Sequence, residues 1–158
     1  VTESIVEEAI RLLSEPLQHP IGELSLLQQS LLFAEIARVA YFRPDIVWEA
    51  VSAVGFEEIQ FIDRNGAQAY IMSNQHDCVV ACRGTEPHDW NDIKANANAL
   101  TVLMENAGRV HRGFKLEVDD LWPRLESALR DNQRPLWFTG HSLGGALATI
   151  CAGRCKLA

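Results

Sequence analysis

Between Pro135 and Ala148 the chain reads Pro-Leu-Trp-Phe-Thr-Gly-His-Ser-Leu-Gly-Gly-Ala-Leu-Ala, and no other stretch constrains the fold as much. Leu136 to Thr139 is short, apolar and rich in aromatic and β-compatible residues, which predicts a buried strand. It stops at Gly140-His141-Ser142-Leu143-Gly144 and gives way to a run of Ala and Leu that predicts a helix. A strand that turns into a helix over so few residues needs small flanking residues, and Gly140, Gly144, Gly145 and Ala146 supply them. The pattern G-x-S-x-G places Ser142 on a strained turn with its oxygen exposed. The helix that starts there offers unpaired N–H groups and positive potential to a developing oxyanion. The bare pattern arises by chance in a chain of this length about once in twenty, so its weight comes from the strand before it and the small-residue helix after it.

The rest of the chain predicts what surrounds that turn. Ser4 to Ser14 carries a helical stripe of Ile5, Val6, Ala9, Ile10, Leu12 and Leu13. A longer helix is expected from about Leu24 to Phe42, stopped at Arg43-Pro44 because the residue before proline avoids helical torsions. A third starts at Asp45 and ends at Gly55. At Glu57 the periodicity changes. Glu57–Ile62, Ala67–Ser73 and Asp77–Arg83 read as strands, the first two joined by a turn ending in Asn65-Gly66. Cys78–Cys82 is apolar at every position, which predicts a strand central in its sheet. Lys94–Leu103 suggests another strand, Gly108–Phe114 returns the chain, and Phe114–Arg130 reads as a helix kinked or restarted at Pro123. Hairpins first and alternating strand and helix later predict a single α/β domain with a mixed sheet flanked by helices.

Composition narrows the partners. With 14 Lys plus Arg against 21 Asp plus Glu the net charge is −7, which argues against nucleic acid and anionic membranes. The apolar runs are too short to span a bilayer, and Val1-Thr2-Glu3-Ser4 has no basic segment leading into an apolar one. Nothing here fixes a compartment, the cytoplasm being slightly favoured. The spacing of Cys78, Cys82, Cys151 and Cys155 suits buried thiols rather than a metal site, and no cofactor motif is present.

A serine hydroxyl is a poor nucleophile unless a base, usually histidine, takes its proton while two N–H donors face the oxyanion. One donor is expected at Leu143, directly after the serine. The other must come from a neighbouring strand end, where Thr85, after Cys78–Arg83 and beside Gly84, is best placed. Four ordered segments then resemble the class 3 (fungal-type) lipases of the α/β-hydrolase fold. They are Val79-Val80-Ala81-Cys82-Arg83-Gly84-Thr85, Asp89-Trp90-Asn91-Asp92, Val110-His111-Arg112-Gly113-Phe114 and Gly140-His141-Ser142-Leu143-Gly144-Gly145-Ala146-Leu147. The resemblance runs from about Glu57 to the end of the chain. It implies a carboxylic ester hydrolase of triacylglycerol-lipase type, with Ser142 as catalytic nucleophile and Thr85 and Leu143 shaping the oxyanion hole. It further implies a lid that contains Glu86, Asp89, Trp90 and Ile93 and meets a lipid interface.

One departure stands out. In α/β-hydrolases the triad acid and histidine follow the serine along the chain, yet no Asp, Glu or His follows Ser142. The five histidines that precede or adjoin it are poor substitutes: His141 is its neighbour, His111 has a structural motif position, and His19, His76 and His88 fall in turns or the lid. The expectation is therefore that these 158 residues are the N-terminal part of a longer enzyme, inactive or nearly so alone. An open edge on the serine's strand would then invite association. The competing expectation is a non-catalytic lipase-like domain that binds or regulates; an acyltransferase or peptidase on the same fold is a third.

Overall fold

A computed structural model describes residues 16–84, 101–104 and 108–155. The expected helix at residues 4–14 and the first part of the Lys94–Leu103 strand lie outside the described residues.

The chain enters through a single 3-10 turn at Ile21–Glu23, and helix α1 follows at Leu26–Val39. It starts later than its apolar pattern suggests because Ser25 and Gln28 form a reciprocal capping box: the Gln28 N–H donates to the Ser25 hydroxyl, and the Gln28 side chain accepts from the Ser25 N–H at 3.0 Å. Helix α2 spans Pro44–Ser52 with Pro44 in its first turn, where a missing N–H costs nothing. Strands β1 (Glu58–Arg64), β2 (Ala67–Ser73) and β3 (Cys78–Cys82) form an antiparallel meander. The β1–β2 turn is Asn65-Gly66 with φ of 54° and 88°, the paired positive torsions that match the twist of a two-residue hairpin. A separate small hairpin pairs β4 (Thr101–Met104) with β5 (Gly108–His111). It leads into helix α3 (Arg112–Leu129).

Helix α3 is continuous through Pro123, where a kink or restart was expected. Val118 and Leu121 before the proline and Leu125 after it are all fully buried, so the packing of both turns outweighs the one lost backbone bond. Strand β6 (Leu136–Gly140) then lies parallel to β3, in register from Cys78 opposite Leu136 to Cys82 opposite Gly140. Helix α4 (Leu143–Arg154) follows at once. The sheet order is β1-β2-β3-β6, so β3 is interior as its unbroken apolar run predicts.

Side-chain alternation divides the core in two. Tyr70, Met72, Val79 and Ala81 face α1 and α2, packing with Ile36, Val39, Val47 and Val51. Ala69, Ile71, Val80 and Cys82 face α3 and α4, packing with Leu121, Leu125, Leu147 and Cys151. This is a three-layer arrangement with helices on both faces of a mixed sheet. It brings the carboxyl ends of β3 and β6 side by side, and the chain leaves β6 there through Ser142.

Candidate active site

Ser142 caps α4 without a side-chain capping bond and holds φ 57° and ψ −124°. A residue with a β-carbon avoids that region, at a cost on the order of 1–3 kcal/mol, and such residues cluster at functional sites. Its carbonyl accepts from the Gly145 N–H at 3.1 Å and the Ala146 N–H at 3.3 Å, which starts the helix.

The turn closes because three glycines let backbone touch backbone. A β-carbon on Gly140 would overlap the Gly144 carbonyl. One on Gly144 would overlap the carbonyl oxygen of Cys82 and come within 2.8 Å of the Gly84 nitrogen. One on Gly84 would overlap the Tyr41 hydroxyl and lie 2.7 Å from the His141 carbonyl oxygen. The ends of β3 and β6 and the first turn of α4 therefore meet backbone to backbone at Gly140 and Gly144, with the Tyr41 hydroxyl beside them at Gly84. Leu143 is buried at the head of α4, and its amide belongs to the set of N–H groups that have no partner within their own helix. Thr85, directly after Gly84, lies outside the described residues, as do Glu86, Asp89, Trp90 and Ile93. The convergence of the Thr85 and Leu143 amides and the covering segment therefore stay expectations.

Ser142, His141, Gly140 and Thr139 form one wall of a cavity of about 700 Å³. The opposite wall is α1 and the turn after it, contributing Phe33, Ala34, Ala37, Arg38, Tyr41 and Phe42. Apolar side chains dominate, as in a pocket for a largely apolar ligand. Among the described lining residues Arg38 carries the formal charge; it pairs with the buried Glu35 at 3.3 Å and lies 5.6 Å from the centre of the Phe42 ring. The Tyr70 hydroxyl donates to the Phe42 carbonyl at 3.0 Å and so ties the α1–α2 turn to the sheet. Burial pushes this phenol up to about 12, with nearby Arg83 pulling the other way.

The histidines divide as their positions suggest. His76 sits in the β2–β3 turn, where its N–H donates to the Asn74 side chain. That turn precedes β3, whereas Ser142 follows the parallel β6, so the two lie at opposite ends of the sheet. His19 is exposed, 3.8 Å from Glu23. The His111 Nδ1 accepts from the Gly113 N–H at 3.2 Å and caps α3, a structural task. His141 is exposed beside the serine, with its ring edge toward Tyr41. His88 lies outside the described residues. Among the described residues there is no cluster of three or more metal-ligating side chains.

Cys78, Cys82 and Cys151 are buried free thiols and Cys155 is half-buried. A hydrogen bond with Cys151, then burial, holds the Cys82 thiol well above its ordinary value, and burial raises Cys78 to about 11. The Cys78 and Cys82 thiols are thus protonated packing groups rather than nucleophiles. No helix among the described residues is long and apolar enough to cross a membrane.

Periodicity did not single out Tyr41, which reads as the tail of a helix, or Asp77, which reads as the first residue of a strand. Asp77 is fully buried, accepting from the Ile21 N–H and from the Trp137 indole N–H, each at 2.8 Å. The one signal for it was a charged residue directly before an unbroken apolar strand.

A sheet flanked on both faces by helices, with a strained serine between the parallel strand and the helix that follows, is the arrangement of the α/β-hydrolase fold. Residues 79–156 match the family model described as lipase (class 3). Solved structures agree on the fold. Rhizomucor miehei triacylglyceride lipase is similar at 20% identity and a TM-score of 0.60, over 82% of this chain and 55% of that one. A lipase from Rhizopus microsporus var. chinensis is similar at 20% identity and a TM-score of 0.62, over 80% and 50%. A triacylglycerol lipase described as having a serine protease triad as its catalytic centre is similar at 17% identity and a TM-score of 0.65, over 80% and 53%. The chain spans about half the length of these structures. A search of curated proteins returned no match.

Proposed function

We propose that residues 1–158 form one lipase-like α/β-hydrolase domain that supplies the nucleophile and oxyanion hole of a serine ester hydrolase acting on lipid or other apolar esters. The observation that carries this reading is the strained Ser142, held at φ 57° on the strand-to-helix turn and opening on an apolar cavity. In the proposed reaction the Ser142 hydroxyl oxygen bonds to the acyl carbon while its proton passes to a base. The resulting oxyanion takes hydrogen bonds from the Leu143 and Thr85 amides. The carbon–alkoxide bond then breaks, the alcohol leaves with a proton, and water hydrolyses the acyl-enzyme by the reverse sequence. The segment with Glu86, Asp89, Trp90 and Ile93 serves as the lid and meets the lipid interface. Because no Asp, Glu or His follows Ser142, the 158 residues alone are expected to be inactive or nearly so.

A fluorophosphonate reaction on the protein isolated from its source tests the nucleophile. Covalent mass should appear at Ser142 and be absent from Ser142→Ala. An unlabelled serine in a folded protein would replace this reading with that of a binding or regulatory domain. The 158-residue chain should hydrolyse p-nitrophenyl butyrate no faster than its Ser142→Ala variant. Rapid turnover lost on that substitution would instead show that one of the five histidines acts as the base.

A further inference from the structure

The strained torsion of Ser142 needs both flanking peptide planes held. On its carboxyl side the carbonyl of Ser142 accepts from Gly145 and Ala146, which fixes ψ. On its amino side the plane that matters is the His141–Ser142 peptide, whose orientation sets φ. The Tyr41 hydroxyl lies 3.4 Å from the His141 carbonyl oxygen and 3.3 Å from the His141 Nδ1. The same oxygen occupies the space that a β-carbon on Gly84 would need. Tyr41 is thus wedged between the residue before the nucleophile and the last described residue before the proposed oxyanion loop. The wedge is anchored from behind, since the next residue, Phe42, has its carbonyl bound by Tyr70.

We infer that Tyr41 is a positioning residue that holds the nucleophile's turn in its strained form and sets its distance from the end of β3; its catalytic meaning rests on the nucleophile reading above. One hydroxyl thus meets both the ring and the backbone carbonyl of His141.

The test is Tyr41→Phe, which keeps the ring and removes the hydroxyl. In nitrogen NMR spectra of the folded chain, the His141 ring nitrogens should shift as the contact at Nδ1 is lost. Amide exchange at Gly145 and Ala146, whose N–H groups hold the Ser142 carbonyl, should speed up about tenfold as the turn opens locally. Exchange at Val79 to Ala81 and the thermal midpoint should stay nearly unchanged, which a general loss of packing would not permit. His141→Ala, which leaves the carbonyl bond in place, should speed exchange at Gly145 less than Tyr41→Phe does. Unchanged His141 ring-nitrogen signals together with unchanged exchange at Gly145 overturn the inference. Labelling of Ser142 is the separate arm: a labelled serine with no response to Tyr41→Phe removes the clamp and leaves the nucleophile, and an unlabelled serine with the full response does the reverse.

Discussion

The two ends of the parallel pair β3 and β6 are built on opposite principles. At the amino end polar groups are buried and paired: Asp77 accepts from Ile21 and Trp137, Asn74 accepts from the His76 and Asp77 N–H groups at 2.8 Å each, and the Cys78 N–H donates to Pro135. At the carboxyl end the contacts are made by what is missing, since Gly84, Gly140 and Gly144 let three backbone segments meet. The amino end gains stability from saturated hydrogen bonding. The carboxyl end accepts a strained residue and a half-open cavity, the combination that reactive groups require. On the proposed function, stability and chemistry are thus divided between the ends of the same two strands.

The sharpest way to break this comparison is Gly144→Ala. The new β-carbon has nowhere to go against the Cys82 carbonyl, so the chain should lose about 3 kcal/mol of stability, measured by urea unfolding. A fully stable variant would mean that the carboxyl end is not closed by backbone contact. Next comes Asp77→Ala at the other end, which strands the Ile21 and Trp137 donors and should cost about 2–3 kcal/mol. Fluorophosphonate reaction at Ser142 in the source protein should nonetheless proceed at the original rate per folded molecule. A lost reaction there would show that the two ends are coupled.

The smallest effect concerns Tyr70, which links the sheet to the cavity wall. Its folded-state value, raised from 10.0 to about 12 by burial, means that the folded chain keeps a proton that the unfolded chain releases. The associated stability is complete below about pH 10 and is lost as pH rises toward 12. Tyr70→Phe should cost about 1 kcal/mol at neutral pH and flatten the fall in thermal midpoint across that alkaline window. An identical alkaline fall in the variant would assign it to another group.

What could be read in advance follows the range of the interactions. The strand, turn and helix around Ser142, the Asn65-Gly66 hairpin and the interior place of β3 all rest on neighbours in sequence, where periodicity and turn chemistry operate. Tyr41 and His141 meet from residues 100 apart, and no local pattern records that contact. Asp77 is likewise explained only by Ile21 and Trp137, each far along the chain. Pro123 misled because its local effect is real but smaller than the packing of Val118, Leu121 and Leu125. The acid and histidine that would complete a triad were not to be found after Ser142, and among the described histidines only His141 stands beside it.

The connection between β3 and β6 bears on the order of assembly. Strands β1, β2 and β3 are joined by tight turns and can zip together as soon as Cys82 is available. Pairing β6 with β3 must wait for the whole stretch from Arg83 to Pro135, including α3, and closing so long a loop is slow. During synthesis the meander would emerge and settle first, with Ser142 still to be made. The strained turn would then form on the nascent chain against a platform already in place, its torsional cost falling after the meander has paired.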